Sequence, residues 1–422
     1  MAKVAVIGTG YVGLTTGACF AHLGHSVVCA DIDEAKVERL KRGEIPIVEA
    51  GLEEIVRESV AAGRLEFVVG AESAASDCEF AFLCVPTPEG EDGQADLSYV
   101  EAAAGQISKV LPRDAVVVNK STVPVGSTRV VERVLRRSDV HVVSNPEFLR
   151  EGTAVHDFLN PDRVVVGSDD QEAANRVGRL YEKLKAPVLV TDAASAETIK
   201  YAANAFLATK LSFVNAIANI CEGVGADVRD VMQGIGYDRR IGHEFLKPGP
   251  GWGGSCFPKD TLALLRIAER ANYDFELLRG VVEVNRQQFD RTARKIFDGL
   301  GQDRVVAVWG LTFKALTDDL RDSPSLEVIE RLIDEDVTVR AFDPTRTTPL
   351  TQYPGIEICD SELSACRGAE VLAVLTEWEN FRWVDPAEAL NEMAGRTVVD
   401  GRNLLDRSAW TSAGFTYVGI GR

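Results

Sequence analysis

The stretch KVAVIGTGYVG, Lys3 to Gly13, is an apolar run broken by a glycine turn. A helical pattern follows to Leu23, with Gly24 as its stop. The next apolar run, Val27 to Ala30, ends on Asp31. Strand, glycine turn, helix, strand and then an acid about 20 residues on is the order of a dinucleotide-binding unit. Glycines allow a tight turn and a close approach of backbone to a pyrophosphate at a helix N-terminus. Gly8, Gly10, Tyr11, Val12 and Gly13 are therefore the expected cofactor contacts. Asp31 is placed to bond ribose hydroxyls and to repel a 2′-phosphate, so NAD is expected rather than NADP. Lys36, close by, tempers that preference.

Working outward, strand-like runs recur at 80–85 (FAFLCV), 115–118 (AVVV), 140–143 (VHVV), 163–167 (RVVVG) and 187–190 (PVLV), with helical stretches between them. Such alternation gives a mainly parallel sheet with helices on both faces. From Ala194 to about Gly223 the period is helical, with no Pro and no interior Gly. Ile199, Ala203, Phe206 and Lys210 run down one stripe, continued by Phe213, Ile217 and Ile220. About 30 residues make ~45 Å of helix, a length suited to bridging domains or forming a dimer interface. Further helices are expected at about 227–233, 259–271 and 275–298. Near residue 300 the alternation resumes: VVAVWG (305–310), a helix after Pro324, VTVRAFD (337–343), VLAVLT (371–376) and TVVDGRN (397–403). The expected fold is α/β, with two Rossmann-like doubly wound parallel-sheet domains joined by a long central helix. The expected divisions are 1–190, 191–298 and 299–422.

A chain of 422 residues is too long for one core, which agrees with that division. The net charge of −18 argues against general nucleic-acid binding, which needs a basic face. An anionic ligand then needs local basic residues set against an acidic background. No run approaches the roughly 18 to 20 uninterrupted apolar residues of a membrane span, so no membrane partner is expected. The N-terminus runs straight into a strand, without a signal-peptide pattern. The eight cysteines show no CxxC and no framework spacing, so they are expected to be reduced, in the cytoplasm. Five histidines, none at ligand spacing, leave no metal site to expect.

Several loops could carry chemistry. Val85-Pro86-Thr87-Pro88 and Ser121-Thr122-Val123-Pro124-Val125-Gly126 follow strands of the first sheet. Ligands sit outside the carboxyl ends of such strands, so Thr87 and Thr122 are placed to reach the cofactor; plain turn chemistry explains each equally well. In Asn145-Pro146-Glu147-Phe148-Leu149-Arg150-Glu151-Gly152, two carboxylates four residues apart share one face if the turn is helical, and one could act as a base. A solvated Glu–Arg–Glu surface is the plainer alternative. Lys200 and Asn204, at i and i+4 on the long helix, face the same way and could together stabilise an oxyanion, or could simply form a polar surface.

Cys256 lies in the glycine-rich GPGWGGSCFPKD, Gly249 to Asp260. Pro258 suits the first turn of a helix, which places Cys256 just before a helix N-terminus, where the dipole favours a thiolate. A buried inert cysteine is the usual alternative, but this loop has no apolar pattern to bury one. NAD with a nucleophilic cysteine has a specific logic. An aldehyde lacks the alkoxide from which a hydride leaves. A thiolate adds to it, the thiohemiacetal loses a hydride, and water frees an acid from the thioester. The pair predicts an enzyme that makes a carboxylate by oxidation; from these residues alone the starting group is either an aldehyde or an alcohol.

Taken in order, GTGYVG, STVPVG, NPEFLREG, KYAANAF, RIGHEFLKPGPGWGGSCFPKD, GLTFK, TDDLRDSPS and DGRN resemble the UDP-glucose 6-dehydrogenases, within the wider nucleotide-sugar dehydrogenase group. The resemblance covers about residues 1 to 410. It implies a four-electron oxidation of UDP-glucose with two NAD+ in succession. Cys256 would carry the thiohemiacetal and thioester, and Lys200 and Asn204 would stabilise oxyanions. Asp260 would help activate a water or the thiol, Glu147 would serve thioester hydrolysis, and Thr122 would hold a water. Glu151, Lys259 and Arg321 would complete the NAD site. The substrate would lie along Glu147, Phe148, Leu149, Arg150 and Glu151, along Lys200 and Asn204, and along Phe245, Leu246, Lys247, Pro248 and Gly249, with Gly253 and Lys314. Arg240 and Arg402 would add basic contacts, Arg240 from a second copy in a homodimer built on the central helix. Residues 191–298 would be the dimerisation and active-site segment, and 299–422 the UDP-sugar-binding one. Related branches act on GDP-mannose or UDP-N-acetyl sugars. The Lys-x-x-x-Asn pair also looks like the 3-hydroxyacid and 6-phosphogluconate dehydrogenases, which need no cysteine. A non-catalytic nucleotide-sugar binder would require damaged chemistry.

Overall fold

The computed structural model describes residues 1–88, 90 and 95–422. Its contacts divide into two compact units: Met1–Ala203 with Leu262–Ala271, and Asn204–Thr261 with Asn272–Arg422. All five tryptophans fall in the second.

The first unit holds an eight-stranded sheet: β1 (Lys3–Ile7), β2 (Ser26–Asp31), β3 (Leu65–Val69), β4 (Phe80–Leu83), β5 (Val116–Asn119), β6 (His141–Ser144), β7 (Val164–Gly167) and β8 (Val188–Thr191). Their order is β3-β2-β1-β4-β5-β6-β7-β8, and every pairing is parallel except β6 with β7. The order reverses direction between β1 and β4, the point where such sheets bind ligands. Side chains alternate across a strand, so β1 feeds two cores. Val4 and Val6 pack on one face with Leu14 and Phe20, and Ala5 and Ile7 pack on the other with Leu83 and Ile107. Phe20 is fully buried against Phe82, Phe158 and Tyr181. Its truncation to Ala would cost about 3–5 kcal/mol.

The second unit repeats the plan with β9 (Val305–Trp309), β10 (Thr338–Phe342), β11 (Ile356–Ile358), β12 (Val371–Val374), β13 (Thr397–Asp400) and β14 (Thr416–Gly419). The order is β11-β10-β9-β12-β13-β14, all parallel. Val306 and Val308 serve one core, and Ala307 and Trp309 the other. Continuous Val/Leu runs mark strands covered on both faces. The fold is thus α/β with two Rossmann-like sheets, and the helix Ala193–Val224 joins them in the chain.

That central helix buries a mixed line, Tyr201, Val214, Ala218 and Cys221 among it, and leaves part of its apolar stripe outside. Ala196, Lys200, Asn204, Ala208, Ser212 and Asn215 are buried, whereas Phe206, Phe213 and Ile220 from the apolar stripe are 65%, 54% and 57% exposed. Small and polar residues face inward because they have partners there. No helix among the described residues is long and apolar enough to cross a membrane.

Candidate active site

At the end of β1 the three glycines do different work. Gly8 turns at φ +98°, and a Cβ there would sit 2.5 Å from the Cys84 carbonyl oxygen. Gly13 packs so closely that a Cβ would lie 1.9 Å from the Gly8 oxygen, whereas a Cβ at Gly10 would meet nothing within 4 Å. The helix Tyr11–His22 therefore starts from a turn that is closed on the strand side and open at Gly10. An open cradle at a helix N-terminus suits a diphosphate. The Tyr11 hydroxyl donates to Glu49 and accepts the Gly152 amide, tying the turn to the loop after β6.

Asp31 accepts from the Thr9 hydroxyl at 2.6 Å and the Thr9 amide at 3.0 Å, and pairs with Lys36 at 3.0 Å. Burial pushes its carboxyl up, but the Thr9 and Lys36 bonds outweigh that and bring it down to about 2. It stays ionised and keeps a solvent-facing edge. Thr87 donates to the Thr122 carbonyl at 2.9 Å, and Ser121 to the Val85 carbonyl at 2.6 Å, so the two loops after β4 and β5 are laced together. Glu197, buried on the central helix, accepts from the Gly126 amide and from the Thr128 amide and hydroxyl at 2.6, 3.0 and 2.8 Å. It caps the helix Ser127–Leu135 from outside.

The segment 145–150 is not helical, so Glu147 and Glu151 do not share a helix face. The Glu147 side chain itself accepts the Leu149 amide at 2.6 Å, a local bond that competes with helix formation. Glu147 is 5% exposed and also accepts from Lys200 Nζ at 2.8 Å. Burial raises its pKa, but the Lys200 charge and hydrogen bond and the Leu149 amide lower it further, so the carboxylate is held ionised. Phe148 lies under two cations, with the Arg163 guanidinium 3.6 Å and Lys200 Nζ 5.5 Å from its ring centre. Arg150 turns away to an exposed pair with Asp157 at 2.6 Å, and Glu151 is half-buried. Buried Lys120 completes the cluster. Its ammonium bonds Asn145 Oδ1 at 3.2 Å, and burial pushes its pKa down to about 8 against the pull of Glu147.

In the second unit, Asp260 is fully buried and accepts from Asn204 Nδ2 at 2.6 Å and Lys259 Nζ at 2.7 Å. Cys256 immediately precedes the helix Phe257–Arg270, and its carbonyl accepts the Asp260 amide at 2.9 Å. Of eight cysteines it is the one that is not buried. Its loop is held by side-chain amides: Asn215 and Gln288 take the Gly249 amide and carbonyl, and Asn285 takes both the amide and carbonyl of Trp252, all at 2.8–2.9 Å. The Trp252 indole donates to Ser212 at 2.9 Å. No side chain fits at Gly253, where a Cβ would sit 1.8 Å from the Asp322 oxygen. Arg402 lies beside Gly249 and donates to the Leu375 and Phe313 carbonyls. Phe245 is held at φ +59°, Leu246 is buried, Lys247 is exposed and Pro248 is half-buried. Lys314 is half-buried beside the Phe313 ring. Two arginines stand outward. Arg240 pairs with Asp238 and is 89% exposed, and Arg321 pairs with Asp319 and is 65% exposed.

The chain therefore assembles Glu147 with Lys200 in one unit, and Asn204, Lys259 and Asp260 in the other, where Cys256 precedes the helix that carries Asp260. Lys120, Glu197, Asn215, Asn285 and Gln288 were not foreseen. Glu197, Lys200 and Asn204 follow i, i+3 and i+7 spacing, the one signal that could have flagged Glu197. Among the described residues no cluster of His, Cys, Asp and Glu could hold a metal.

Family models agree with this organisation. The UDP-glucose/GDP-mannose dehydrogenase family's NAD binding domain matches residues 2–185, its central domain 194–287 and its UDP binding domain 307–407. A UDP-glucose 6-dehydrogenase of Pseudomonas aeruginosa is 46% identical, over 100% of this chain and 97% of that protein. Among solved structures, a UDP-glucose dehydrogenase of Pyrobaculum islandicum superposes with a TM-score of 0.91 at 36% identity, covering 100% of this chain and 98% of that one. A UDP-D-ManNAc dehydrogenase of Pyrococcus horikoshii gives 0.88 at 28%, covering 99% of each chain. The glycine turn, the acid at the end of β2 and the half-exposed cysteine before a helix thus sit in a chain that belongs to the UDP-glucose/GDP-mannose dehydrogenase family.

Proposed function

We propose that this protein oxidises UDP-glucose at C6 to UDP-glucuronate, with two NAD+ reduced and one water consumed per sugar. The observation that carries the reading is Cys256, a half-exposed thiol at a helix N-terminus, backed by the buried Asn204–Asp260–Lys259 network. NAD+ bound at the glycine turn supplies the hydride acceptor for both oxidations. Gly10 leaves room for its diphosphate and Asp31 for its ribose, with Thr87 and Thr122 lining the sheet end; Glu151, Lys259 and Arg321 complete that site in this reading.

The chain's own groups do the rest. Lys200 and Asn204 stabilise negative charge on the C6 oxygen. The Cys256 thiol gives its proton to the Asp260 network, and the resulting thiolate adds to the aldehyde carbon. The resulting thiohemiacetal yields the second hydride and becomes a thioester. Glu147, ionised by its Lys200 partner, draws a proton from a water held near Thr122. That water displaces the thiol and frees the carboxylate. Phe148, Leu149, Arg150, Phe245, Leu246, Lys247, Pro248, Gly249, Gly253, Lys314 and Arg402 are the substrate's surroundings in this reading. Glucose is preferred over N-acetyl sugars because the relative at 46% identity is a UDP-glucose enzyme, whereas the UDP-D-ManNAc enzyme stands at 28%.

The reading also includes a cytoplasmic homodimer. Phe206, Phe213 and Ile220 form an exposed apolar line seven residues apart on the central helix, which a second copy would cover. Arg240, outward-facing on its own chain, would then serve the neighbouring copy's substrate. The division into 1–190, 191–298 and 299–422 belongs to the same proposal.

The test is NADH formed per UDP-glucose consumed, run to completion with excess NAD+. A ratio of two with UDP-glucuronate as product is expected, and Cys256→Ala should abolish it while leaving NAD binding near normal. A ratio of one, or full turnover in Cys256→Ala, would sink the cysteine mechanism.

A further inference from the structure

The chemistry above leaves unused a basic hollow in the second unit. A cavity of about 710 Å³ is lined by Arg229, Arg382, Arg407 and Arg422, with Asp406 as the one acidic side chain among the described lining residues. A neighbouring cavity of about 500 Å³ shares Arg407 and Arg422 and adds Lys295. On a chain of net charge −18 this is a marked local excess of positive charge.

Each nearby carboxylate already has one oxygen engaged. Asp406 accepts from the Ser408 hydroxyl and amide and the Ala409 amide as a helix cap. Glu222 pairs with Lys295 at 2.8 Å and accepts the Gly421 amide at 2.7 Å. Asp227 accepts the Arg229 amide at 2.9 Å. Arg382 is paired with Glu379 at 3.1 Å. Arg407 makes no ion pair among the described residues. The Arg422 side chain is 8% exposed, yet its Nε and Nη1 are buried without a hydrogen-bond partner. The Asp227 carboxylate is 4.0 Å from Nε, beyond hydrogen-bond reach. A buried guanidinium with unmade bonds is costly, and a ligand that supplies the missing acceptors removes that cost.

We propose that this hollow binds a small phosphate-bearing anion, with Arg422 and Arg407 as its principal donors and Arg229 and Ser408 at its rim. Guanidinium forks match phosphate oxygens in pairs, and the volume suits a phosphorylated metabolite better than a lone ion. None of its lining residues has a role in the oxidation, so the site is separate from the reaction.

The test is calorimetric titration of the intact protein with inorganic pyrophosphate at low salt. Saturating NADH and UDP are present so that the nucleotide sites are filled. One saturable event per chain is expected, with a Kd of about 1 mM or tighter. Arg407→Glu and Arg422→Met should each weaken it about tenfold or more, and Arg113→Glu, an exposed arginine of the first unit, should not. Because Arg407 is on the surface, its variant should fold and turn over normally, and it decides the matter even if Arg422→Met is unstable. Absence of saturable binding in the native protein, or equal binding in native protein and Arg407→Glu, overturns the proposal.

Discussion

The two sheets place an acid at the same point and use it for opposite ends. In the first unit Asp31, at the end of β2, holds the turn after β1 through the Thr9 amide and hydroxyl. In the second, Asp343 follows β10 and holds the turn after β9 in the same way, through the Leu311 amide at 2.8 Å and the Thr312 amide and hydroxyl at 3.2 and 3.3 Å. There the likeness stops. Asp343 has no exposed surface, and it also takes the Thr345 amide and hydroxyl and the Trp378 indole. Every lone pair faces a donor, so no ligand can be read there. Asp31 keeps 13% of its side chain exposed, with Lys36, 26% exposed, as its outer partner. The same position is thus sealed in the second unit and left with an open edge in the first, the edge that the proposed function gives to a ribose.

The comparison breaks most visibly at Asp343. Asp343→Ala should orphan the Leu311, Thr312 and Thr345 amides and the Trp378 indole, and cost about 3–5 kcal/mol of second-unit stability. Urea denaturation followed by far-UV circular dichroism checks it; a loss below about 1 kcal/mol would mean that water replaces the carboxylate and the seal is not real. Asp31→Ala is expected to do the reverse. The KM for NAD should rise about 10–100-fold and the margin over NADP should narrow, with stability down by only about 1 kcal/mol. An unchanged cofactor preference would remove Asp31 from the ribose site. Lys36→Met probes the open edge. It should sharpen the preference for NAD by a few-fold at most, roughly 0.5–1 kcal/mol, since a half-exposed pair contributes little; steady-state kinetics with both cofactors measures it.

The smallest effect concerns pH. Asp31's folded pKa lies below its unfolded value, near 2 against 3.8, so its contribution to stability is complete above the unfolded value. It is lost only as pH falls through the folded one. Cofactor preference should therefore be flat between about pH 5 and pH 8. A titration of that preference near neutrality would assign it to another group.

Asp31 was legible in the sequence because a glycine turn announced it, whereas Asp343, at the end of TVRAFD, had no such herald. Both sheets were legible because valine runs covered on two faces have few other ways to be buried. Cys256 stood out because its loop lacks an apolar period. The inward face of the central helix was harder to read. Hydropathy selects the Phe206–Phe213–Ile220 line, while the buried line is fixed by partners distant in sequence, such as Glu147 for Lys200 and Asp260 for Asn204. Lys120 was hidden for the same reason, since nothing local says that a lysine after VVVN goes inward. The condition for Glu147 and Glu151 to share a face, a helical turn at 145–152, is not met, because the Glu147 side chain takes a backbone amide that a helix would use.

The confinement of every tryptophan to the second unit has an optical consequence. Intrinsic indole emission is blind to the unit that carries the glycine turn. An unfolding curve recorded at that wavelength follows the half that holds Trp252, Trp309 and Trp378, while peptide-bond absorption follows both. If the two traces overlay, the halves melt as one body; if they part, the gap between their midpoints measures how independently the dinucleotide half lives.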